Sequence, residues 1–364
     1  MSEFSWEGSR VFIVDRKVAE NDIITSFYLM PEDGKPLPPF LPGQFLPVEL
    51  DIPGEKGPVN RTYTLSDSPH QADCYRLTIK REPAGLASIF FHDQIDVGAK
   101  INAKAPGGKF HLNMGADKPV VLLSGGVGLT PMISMLNTIC EEDKGRKTWF
   151  LHGTRGRNEH CMGEHVRSLA AANANVSAHI VYEKTSPEDV KGEHYDSEGY
   201  ITGDLLQGLL GGTDYEFYLC GPPPFMKAVY NALCDWGVDE NAIHYEFFGP
   251  ATVLREGAPG PDQASLMPTE NAAGKNAAAT GAMVTFSASG NSAPWDAKFE
   301  NLLDFAESLG LSPAFSCRSG ICHTCMIELK QGEVDYPEEP AIPPDPGHVL
   351  ICMAQPKGDI DIDL

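Results

Sequence analysis

Four cysteines near the end of the sequence have a spacing that suits a metal centre. They follow the pattern Cys317-x4-Cys322-x2-Cys325, with Cys352 further along the chain. Zinc sites usually combine two C-x2-C pairs, or a cysteine pair with a histidine pair, and the sequence has one such pair here. A Rieske centre needs two histidine ligands, and His323 and His348 lack the usual spacing from the cysteines. The pattern is that of a plant-type [2Fe–2S] centre with four thiolate ligands.

Small residues around the first three cysteines favour the same interpretation. Ser316, Ser319 and Thr324 occupy little space, and Gly320 can adopt backbone angles that other residues avoid. Such a loop can wrap a cluster and direct N–H groups at its sulfur atoms, which tunes the reduction potential. A zinc site and unliganded structural cysteines are the alternatives. On these features, the C-terminal segment from Met283 to Leu364 resembles plant-type ferredoxins.

A [2Fe–2S] centre transfers one electron at a time, so the preceding residues must supply an electron source. The stretch RTYTLSDSP begins a strand at Arg61, and an arginine can bind phosphate through two parallel hydrogen bonds. Tyr63 lies on the same face of that strand and can pack against a flat ring. The Thr64 hydroxyl can bond a ring nitrogen. An ordinary barrel strand is the alternative interpretation of this motif.

A second motif, IKREPAGLAS, follows along the chain. Its glycine turn and its serine at a helix start present free N–H groups to a phosphate. The residues predicted to bind a cofactor here are Lys80, Gly85, Leu86, Ala87 and Ser88. Together the two motifs resemble the flavin-binding barrel of the ferredoxin–NADP reductase superfamily, whose pattern is Arg-x-Tyr-Ser. The resemblance implies that Tyr63 packs on the isoalloxazine and that Thr64 bonds near its reactive nitrogen. It also implies that Arg61 and Ser88 hold phosphate.

The stretch LLSGGVGLTPM joins an apolar strand to a helix and predicts a nucleotide site. Gly125, Gly126 and Gly128 permit close approach of the backbone to a pyrophosphate, which the helix N-terminus would face. The spacing differs from G-x-G-x-x-G, so an ordinary glycine-rich turn is the alternative. The superfamily has a matching loop for NAD(P)H, and this resemblance adds Val127 and Thr130 to the predicted site.

Two further motifs extend the resemblance. In the superfamily a motif like YLCGPPPFM lies by the nicotinamide, so Cys220, Gly221 and Pro222 are predicted there, with Cys220 near the hydride path. IHYEFFGP would place Phe248 over the far face of the flavin. The alternatives are a small buried hydrophobe at Cys220 and a core aromatic at Phe248. The predicted catalytic residues are Tyr63, Thr64, Cys220 and Phe248.

These motifs, with ITSFYLMPEDGKPLPPFLPGQF, look most like the reductase half of flavohaemoglobins. We expect no globin, because only a handful of residues precede the barrel. FAD follows from this likeness, and FMN is the alternative because a reductase with the same domain order uses it. NADH is expected, although Arg155 and Arg157, after the second strand of the α/β fold, could bind the 2′-phosphate of NADPH.

The elements that must position these motifs form three folded regions and a linker. Short strands between Pro/Gly turns over residues 1–114 predict an antiparallel flavin-binding β-barrel. Apolar strands that alternate with helices over residues 115–250 predict an NAD(P)H-binding α/β domain with a parallel sheet. Residues 251–282 are rich in Pro, Gly, Ala and Asn and predict a flexible linker. Residues 283–364 predict an α+β ferredoxin domain of the β-grasp type.

Charge and composition exclude several classes of function. The formal charge of −22 repels phosphate backbones and argues against nucleic-acid binding. No apolar stretch approaches the length of a membrane span and no signal peptide is visible, so we expect a cytoplasmic protein that does not span a membrane. The nine cysteines are an odd number and five are scattered, which argues against a disulfide framework.

The predicted ferredoxin domain is strongly acidic. It contains thirteen acidic and four basic side chains, which give a formal charge of −9. Such a surface would suit a basic partner protein. Its helical stretch FENLLDFAESLG is predicted to bury one face. The members of that face are Leu302, Leu303, Ala306 and Leu309.

The motifs together predict an NAD(P)H-dependent oxidoreductase. Electrons would pass from NADH through a flavin and [2Fe–2S] to an external acceptor, because a flavin takes up a hydride and releases electrons singly. The expected acceptor is a partner oxygenase, a Rieske-type monooxygenase or dioxygenase such as a quaternary-amine demethylase or an aromatic-ring oxygenase. The alternatives are the reductase of a hybrid-cluster protein or of a phenylacetyl-CoA epoxidase-type di-iron oxygenase, and a flavin/Fe–S redox sensor. No side-chain acid or base is required, and His152 and His244 are expected to be satisfied core histidines.

Overall fold

The computed structural model describes residues 6, 8–55, 57–70, 73–142, 145–248, 254–255, 281–296, 298–311, 313, 315, 320, 325–337, 340 and 343–364. The chain divides into two compact units, the first of which contains two six-stranded sheets. Among the described residues, no helix combines the length and the apolar character that crossing a membrane requires.

The first region forms a six-stranded sheet that closes into a barrel. Its elements are β1 (Arg10–Ala19), β2 (Ile24–Pro31), β3 (Phe45–Leu50), β4 (Val59–Thr64), β5 (Tyr75–Lys80), α1 (Leu86–Gln94) and β6 (Lys100–Ala103). The strand order is β4-β3-β6-β1-β2-β5, and an antiparallel bridge between Leu65 and Leu77 joins the end of β4 to β5. Fully buried side chains such as Phe12, Phe27 and Leu46 fill its core. The predicted antiparallel barrel is confirmed.

The second region forms a parallel sheet with helices between its strands. Its elements are β7 (Val120–Gly125), α2 (Leu129–Glu142), β8 (Thr148–Thr154), α3 (Gly163–Ala172), β9 (Val176–Tyr182), β10 (Ser197–Glu198), α4 (Gly203–Leu210), β11 (Glu216–Gly221), α5 (Pro223–Trp236) and β12 (Ile243–Phe247). The strand order is β10-β9-β8-β7-β11-β12. The chain therefore builds outward from β7 in one direction and then returns to its other side at β11. Ligands of such open sheets bind at this switch point, beyond the carboxyl ends of the strands.

The C-terminal unit contains a small sheet and one helix. Its elements are β13 (Met283–Phe286), β14 (Asn291–Pro294), α6 (Leu302–Ser308), β15 (Met326–Gln331), β16 (Val334–Asp335), β17 (His348–Leu350), β18 (Gln355–Pro356) and β19 (Ile360–Ile362). The order β14-β13-β19-β15-β17 forms one sheet, and β16 pairs with β18. The central pair β13–β19 is parallel, while its neighbours are antiparallel. The predicted α+β fold is confirmed.

The prediction for the face of α6 is wrong at one position. Leu302, Leu303 and Ala306 are fully buried, as expected, but Leu309 is 38% exposed. The helix ends at Ser308 and Leu309 is its cap residue, so its side chain no longer follows the helical periodicity. Phe305 is 3% exposed and fills the core instead.

Two residues inside the predicted linker, Leu254 and Arg255, contact the parallel-sheet region. Leu254 is 3% exposed and packs in the core of the parallel-sheet region. Its carbonyl accepts a hydrogen bond of 2.9 Å from Asn231 Nδ2, and the neighbouring Arg255 pairs with Asp235 at 2.9 Å. Both contacts hold the chain against α5. Most of the other residues of the predicted linker lie outside the described residues.

We predict that the core of the C-terminal unit distinguishes Leu303 from Leu309. Leu303→Ala removes a fully buried side chain and should destabilise the unit by about 2–5 kcal/mol. Leu309→Ala changes an exposed cap residue and should alter stability by about 0.5 kcal/mol or less. Thermal unfolding followed by circular dichroism checks both variants. Equal losses of stability would show that α6 does not pack as described.

Candidate functional site

The glycine turn and the CGPP turn meet at the switch point of the parallel sheet. Cys220 on β11 pairs with Ser124 on β7, so the two turns leave the sheet side by side. A Cβ on Gly128 would lie 2.4 Å from the carbonyl oxygen of Cys220 and 2.7 Å from the nitrogen of Gly221. A side chain cannot occupy that space, so only glycine lets the two turns touch.

Phe225 packs across the same junction. A Cβ on Gly125 would lie 2.9 Å from its ring, and one on Gly221 would lie 2.6 Å from it. Phe225 is in the first turn of α5, whose cap residue is Pro222. The site predicted from the sequence includes these glycines and Pro222 but does not include Phe225. The aromatic residue that ends YLCGPPPF is the signal that could have identified it.

The start of α2 fits a dinucleotide pyrophosphate. Gly126 has a φ of +53°, and no atom of the described residues lies within 4 Å of a Cβ built there. A short 3-10 turn, Gly126–Gly128, leads into α2, whose first turn contains no acidic residue. Thr130 Oγ1 donates to the carbonyl of Val127 at 3.2 Å, which stabilises the turn. The free N–H groups of the first helical turn and the helix dipole favour the binding of an anion here.

Two predicted catalytic residues differ sharply in exposure. Cys220 is fully buried, and burial, with Glu246 beside it, holds the pKa of its thiol well above the ordinary value. The thiol therefore stays protonated at neutral pH and takes no part in acid–base chemistry. Phe248 is 42% exposed, so it is not a core aromatic. That exposure leaves its ring available for the flavin contact, which remains a prediction.

The end of β4 carries the predicted flavin contacts. The Tyr63 ring meets Phe91 edge to face, with 5.2 Å between centroids, and Tyr63 remains partly exposed. An aromatic neighbour thus holds the ring while part of it is left for a flat ligand. Thr64 is 5% exposed. Arg61 is half-buried and donates to the carbonyl of Asn60 at 2.7 Å. These features fit a flavin.

The second flavin motif uses its serine within the turn itself. Gly85 caps α1 and offers no side chain, and a Cβ there would lie 2.4 Å from Ser88 Oγ. Ser88 Oγ donates to the carbonyl of Gly85 at 3.0 Å and accepts from the N–H of Glu82 at 3.1 Å. The hydroxyl is therefore occupied, and the first N–H groups of α1 are the better phosphate donors. Lys80 pairs with Glu82 at 3.0 Å.

The two histidines near the nucleotide strands are structural. His244 bonds Glu216 at 2.6 Å and is half-buried, as the prediction of a satisfied histidine requires. His152 is 1% exposed, and its Nδ1 lies 2.9 Å from Ser124 Oγ. Its Nε2 has no hydrogen-bond partner in the described part of the chain. The prediction therefore holds for one nitrogen of His152 and not for the other.

A second histidine, the half-buried His160, stacks on His152. The rings of His152 and His160 stack with 5.4 Å between their centroids, and His160 Nδ1 lies 2.8 Å from the hydroxyl of Tyr182. Burial lowers the pKa of His152 to about 3 and that of His160 to about 4. Both rings are therefore neutral at neutral pH.

Two of the four predicted cluster ligands lie in the described residues and close to each other. Cys325 is 2% exposed and Cys352 is 3% exposed. Met326 pairs with Leu350 in the antiparallel β15–β17 pair, so the two cysteines flank the same end of that ladder. Burial raises the pKa of Tyr336, and the nearby Cys325 and Cys352 raise it further. Neighbouring buried thiols are a donor set that fits an iron–sulfur cluster.

Gly320 lies between the first two predicted cluster cysteines in the sequence. Gly320 has a φ of +67°, and a Cβ there would lie 2.2 Å from Met353 Sδ. The backbone angle therefore favours glycine, as the sequence predicts. Cys317 and Cys322 lie outside the described residues, and their role as ligands remains a prediction.

The two arginines after β8 have different surroundings. Arg155 pairs with Glu159 at 3.3 Å, and its side chain is 75% exposed. Arg157 is exposed and lines a cavity of 460 Å³. Two carboxylates, Asp22 and Glu188, line the same cavity. A phosphate there would meet negative as well as positive charge.

Comparisons with known proteins match these three regions in order. Residues 12–112 match the oxidoreductase FAD-binding domain family, residues 122–231 the oxidoreductase NAD-binding domain, and residues 290–357 the 2Fe-2S iron-sulfur cluster binding domain. The flavohem-like FAD/NAD-binding domain of nitric oxide dioxygenase from Vibrio cholerae is 34% identical, with a TM-score of 0.60. The match covers 66% of this chain and 99% of that domain. The chain belongs to the ferredoxin–NADP reductase superfamily. As expected, the chain contains an oxidoreductase FAD-binding domain, an oxidoreductase NAD-binding domain and a 2Fe-2S cluster binding domain.

Two further comparisons concern a protein that is similar in sequence and a solved structure that shares the fold. The flavohemoprotein of Bacillus thuringiensis subsp. konkukian is 44% identical over 258 residues, which cover 70% of this chain. This chain spans 64% of the length of that relative. Phthalate dioxygenase reductase, described as a modular structure for electron transfer from pyridine nucleotides to [2Fe–2S], is 24% identical and has a TM-score of 0.58. The match covers 98% of each chain, so the two share one fold.

We predict that Gly128→Ala impairs the reaction with NADH and spares flavin binding. The added methyl group would lie 2.4 Å from the Cys220 carbonyl, so the two turns must separate. A shift on the order of 1 Å should slow flavin reduction by roughly 10–100-fold. Anaerobic stopped-flow reduction by NADH measures the rate, and absorbance measures bound flavin. Gly208→Ala, inside α4 with no atom within 4 Å, is the matched control and should keep the rate unchanged.

We also predict that the protein loses stability as pH falls through about 6.5, the value for an unfolded histidine. Burial lowers the pKa of His152 and His160 in the folded protein. In this pH range the two histidines are therefore protonated in the unfolded chain and neutral in the folded protein. Stability therefore rises with pH up to the unfolded value and is constant above it. His160→Asn retains an amide near Tyr182 but cannot titrate. This substitution should reduce the slope of the unfolding free energy against pH by about 1.4 kcal/mol per pH unit.

The measurement is the free energy of urea unfolding between about pH 5 and pH 7. Identical slopes for the wild-type protein and the His160→Asn variant would show that this ring is not held neutral by the fold.

Proposed function

We propose that this reductase passes electrons from NADH, through FAD and [2Fe–2S], to a partner oxygenase of the Rieske type. Such a partner would be a quaternary-amine demethylase or an aromatic-ring oxygenase. The observation that carries the proposal is the presence of all three binding domains in one chain. A two-electron donor site and a one-electron outlet in one protein suit an acceptor that is reduced by single electrons.

When bound, the nicotinamide, the flavin and the cluster would together supply the redox chemistry, which turns the electron pair of a hydride into single electrons. The residues of the chain bind and orient them. The contact between the turns at Gly128 and Cys220 fixes the nucleotide loop. Tyr63 offers a ring face and Thr64 a buried hydroxyl at the end of β4. Cys325 and Cys352 offer buried thiols. No described side chain is needed as an acid or base.

Similar structures support a protein acceptor. They include phthalate dioxygenase reductase, a ferredoxin reductase in carbazole 1,9a-dioxygenase and a cytochrome P450 reductase from Amycolatopsis. Each is named as a reductase together with an oxygenase or a cytochrome P450. The acidic C-terminal domain, with a formal charge of −9, would attract a basic docking patch on such a partner.

NADH is the preferred donor in this proposal. Arg155 is already paired with Glu159. Arg157 shares its cavity with Asp22 and Glu188, and these carboxylates would repel the 2′-phosphate of NADPH. FAD is preferred over FMN because the barrel matches the FAD-binding family.

The proposal predicts that Cys325→Ser separates two reactions. Anaerobic NADH titration of the wild-type protein should bleach the flavin bands and develop the rhombic EPR signal of a reduced [2Fe–2S] cluster. The variant should still bleach its flavin and reduce ferricyanide, because that acceptor can take electrons from the flavin directly. Its reduction of cytochrome c, a basic one-electron protein acceptor, should fall at least about 10-fold, a barrier increase of about 1.4 kcal/mol.

Cys234→Ser, which changes a half-buried cysteine of α5, is the matched control and should keep both reactions. Added salt should slow cytochrome c reduction and leave ferricyanide reduction by the variant in place, because screening weakens protein docking. Unchanged cytochrome c reduction by Cys325→Ser would rule out the cluster as the outlet. Reconstitution with a purified Rieske oxygenase, scored by substrate turnover, tests the partner itself.

A further inference from the structure

The flavin motif continues into a partly buried contact with the helix that follows the nucleotide loop. Asp67 comes shortly after Thr64 in RTYTLSDSP. Its carbonyl accepts a hydrogen bond of 2.8 Å from Ser134 Oγ, and its Oδ1 accepts one of 3.0 Å from Asn137 Nδ2. The neighbouring Ser68 donates to the carboxylate of Glu141. All three partners lie on α2.

These partners form a polar stripe along one side of a helix that is buried over most of its length. Ser134, Asn137 and Glu141 follow each other at i+3 and i+4 spacing, so they share one helical face. Ser134 is fully buried and Asn137 is 5% exposed. Buried polar groups stabilise a structure only when they are hydrogen-bonded. The three polar side chains of this stripe therefore depend on Asp67 and Ser68 for their hydrogen bonds. Apolar side chains in place of Asp67 and Ser68 would not provide the same partners.

Further side chains hold both halves of this contact. Arg76 on β5 lies 3.5 Å from Asp67 Oδ2, and the two side chains are 11% and 21% exposed. On the other side, His165 on α3 lies 2.7 Å from Asn137 Oδ1. Since Asn137 Nδ2 donates to Asp67, its Oδ1 must accept, so His165 Nε2 carries the hydrogen. The orientation of each group is thus determined by its neighbour.

We propose that Asp67 is a positioning residue for hydride transfer, because it clamps the nucleotide-binding helix to the flavin-binding strand. Tyr63 and Thr64 lie just before it in the chain, and Gly128 lies less than two helical turns before Ser134. A short strand end and one rigid helix therefore connect the flavin contacts to the nucleotide turn. The clamp sets the separation of the two rings, and hydride transfer depends steeply on that separation.

The clamp acts only on the step from NADH to the flavin, so its test is independent of the proposed oxygenase partner. Asp67→Ala removes the carboxylate from the full-length protein. The rate of flavin reduction by NADH should fall roughly 10–100-fold in stopped flow, as expected for a misplacement of about 1 Å. Bound FAD and the apparent KM for NADH should change by less than about 3-fold, since neither binding surface is altered.

Two readouts do not depend on turnover. The long-wavelength charge-transfer absorption of reduced flavin with NAD⁺ requires stacked rings, and it should be lost in Asp67→Ala. Hydrogen exchange measured by mass spectrometry should rise together in peptides from residues 59–70 and 126–141. Asn137→Ala deletes the same hydrogen bond from the helix side, and it should reproduce both effects if Asp67→Ala does not fold.

Asp196 provides a matched control within the parallel-sheet region. Its carboxylate is 20% exposed, pairs with Arg167 at 2.8 Å and accepts the N–H of Ile180 at 2.7 Å. Asp196→Ala should reduce stability and leave the charge-transfer absorption and the hydride-transfer rate per bound FAD unchanged.

The double variant Asp67→Asn with Asn137→Asp exchanges the two side chains, so that a hydrogen-bond donor again faces an acceptor. It should recover at least part of the rate of flavin reduction.

Three results would overturn the inference. One is an unchanged rate of flavin reduction in a folded Asp67→Ala protein with full FAD. Another is an equal effect of Asp196→Ala, which would mean that general destabilisation explains the loss. The third is a charge-transfer absorption that survives in both Asp67→Ala and Asn137→Ala.

Discussion

Direct backbone contact between the turns after β7 and β11 is the constraint on which the reductase half depends. The carbonyl of Cys220 and the Cα of Gly128 are so close that no side chain fits between them. This contact places the beginning of α2 at the switch point of the parallel sheet, where N–H groups and the helix dipole face a ligand. Phe225 covers the junction from α5. The position of the nucleotide loop therefore follows from packing between backbones and requires no charged side chain.

In the C-terminal unit, the sheet positions two of the predicted ligands and the helix contributes to the core. The antiparallel register of β15 and β17 brings Cys325 and Cys352 to one end of the ladder, although the chain passes through three strands between them. Leu302, Leu303 and Phe305 of α6 fill the interior. A small unit of this kind has only a small hydrophobic core. Bonds to a metal cluster would therefore add to its stability.

Local patterns in the sequence are enough to predict the chemistry and the class of each fold. Cysteine spacing, glycine-rich turns and the R-x-Y-T motif each reflect a local requirement, for thiolates, free backbone angles or a ring beside a hydroxyl. The alternation of apolar strands with helices likewise predicts a parallel sheet, since burial on both faces leaves a continuous apolar run. Leu309 shows the limit of periodicity, because the residue at which a helix ends depends on the packing around it.

Which of these residues meet is a property of the tertiary structure alone. The strand order places Gly128 against Cys220, residues that are far apart in sequence, and neither motif specifies the other as its neighbour. The match between Asp67 and the polar stripe of α2 could not be predicted for the same reason. A serine, an asparagine and a glutamate on a helix look like a solvated face until a barrel packs on them. Their partners are set by long-range packing, which spacing along the chain does not encode.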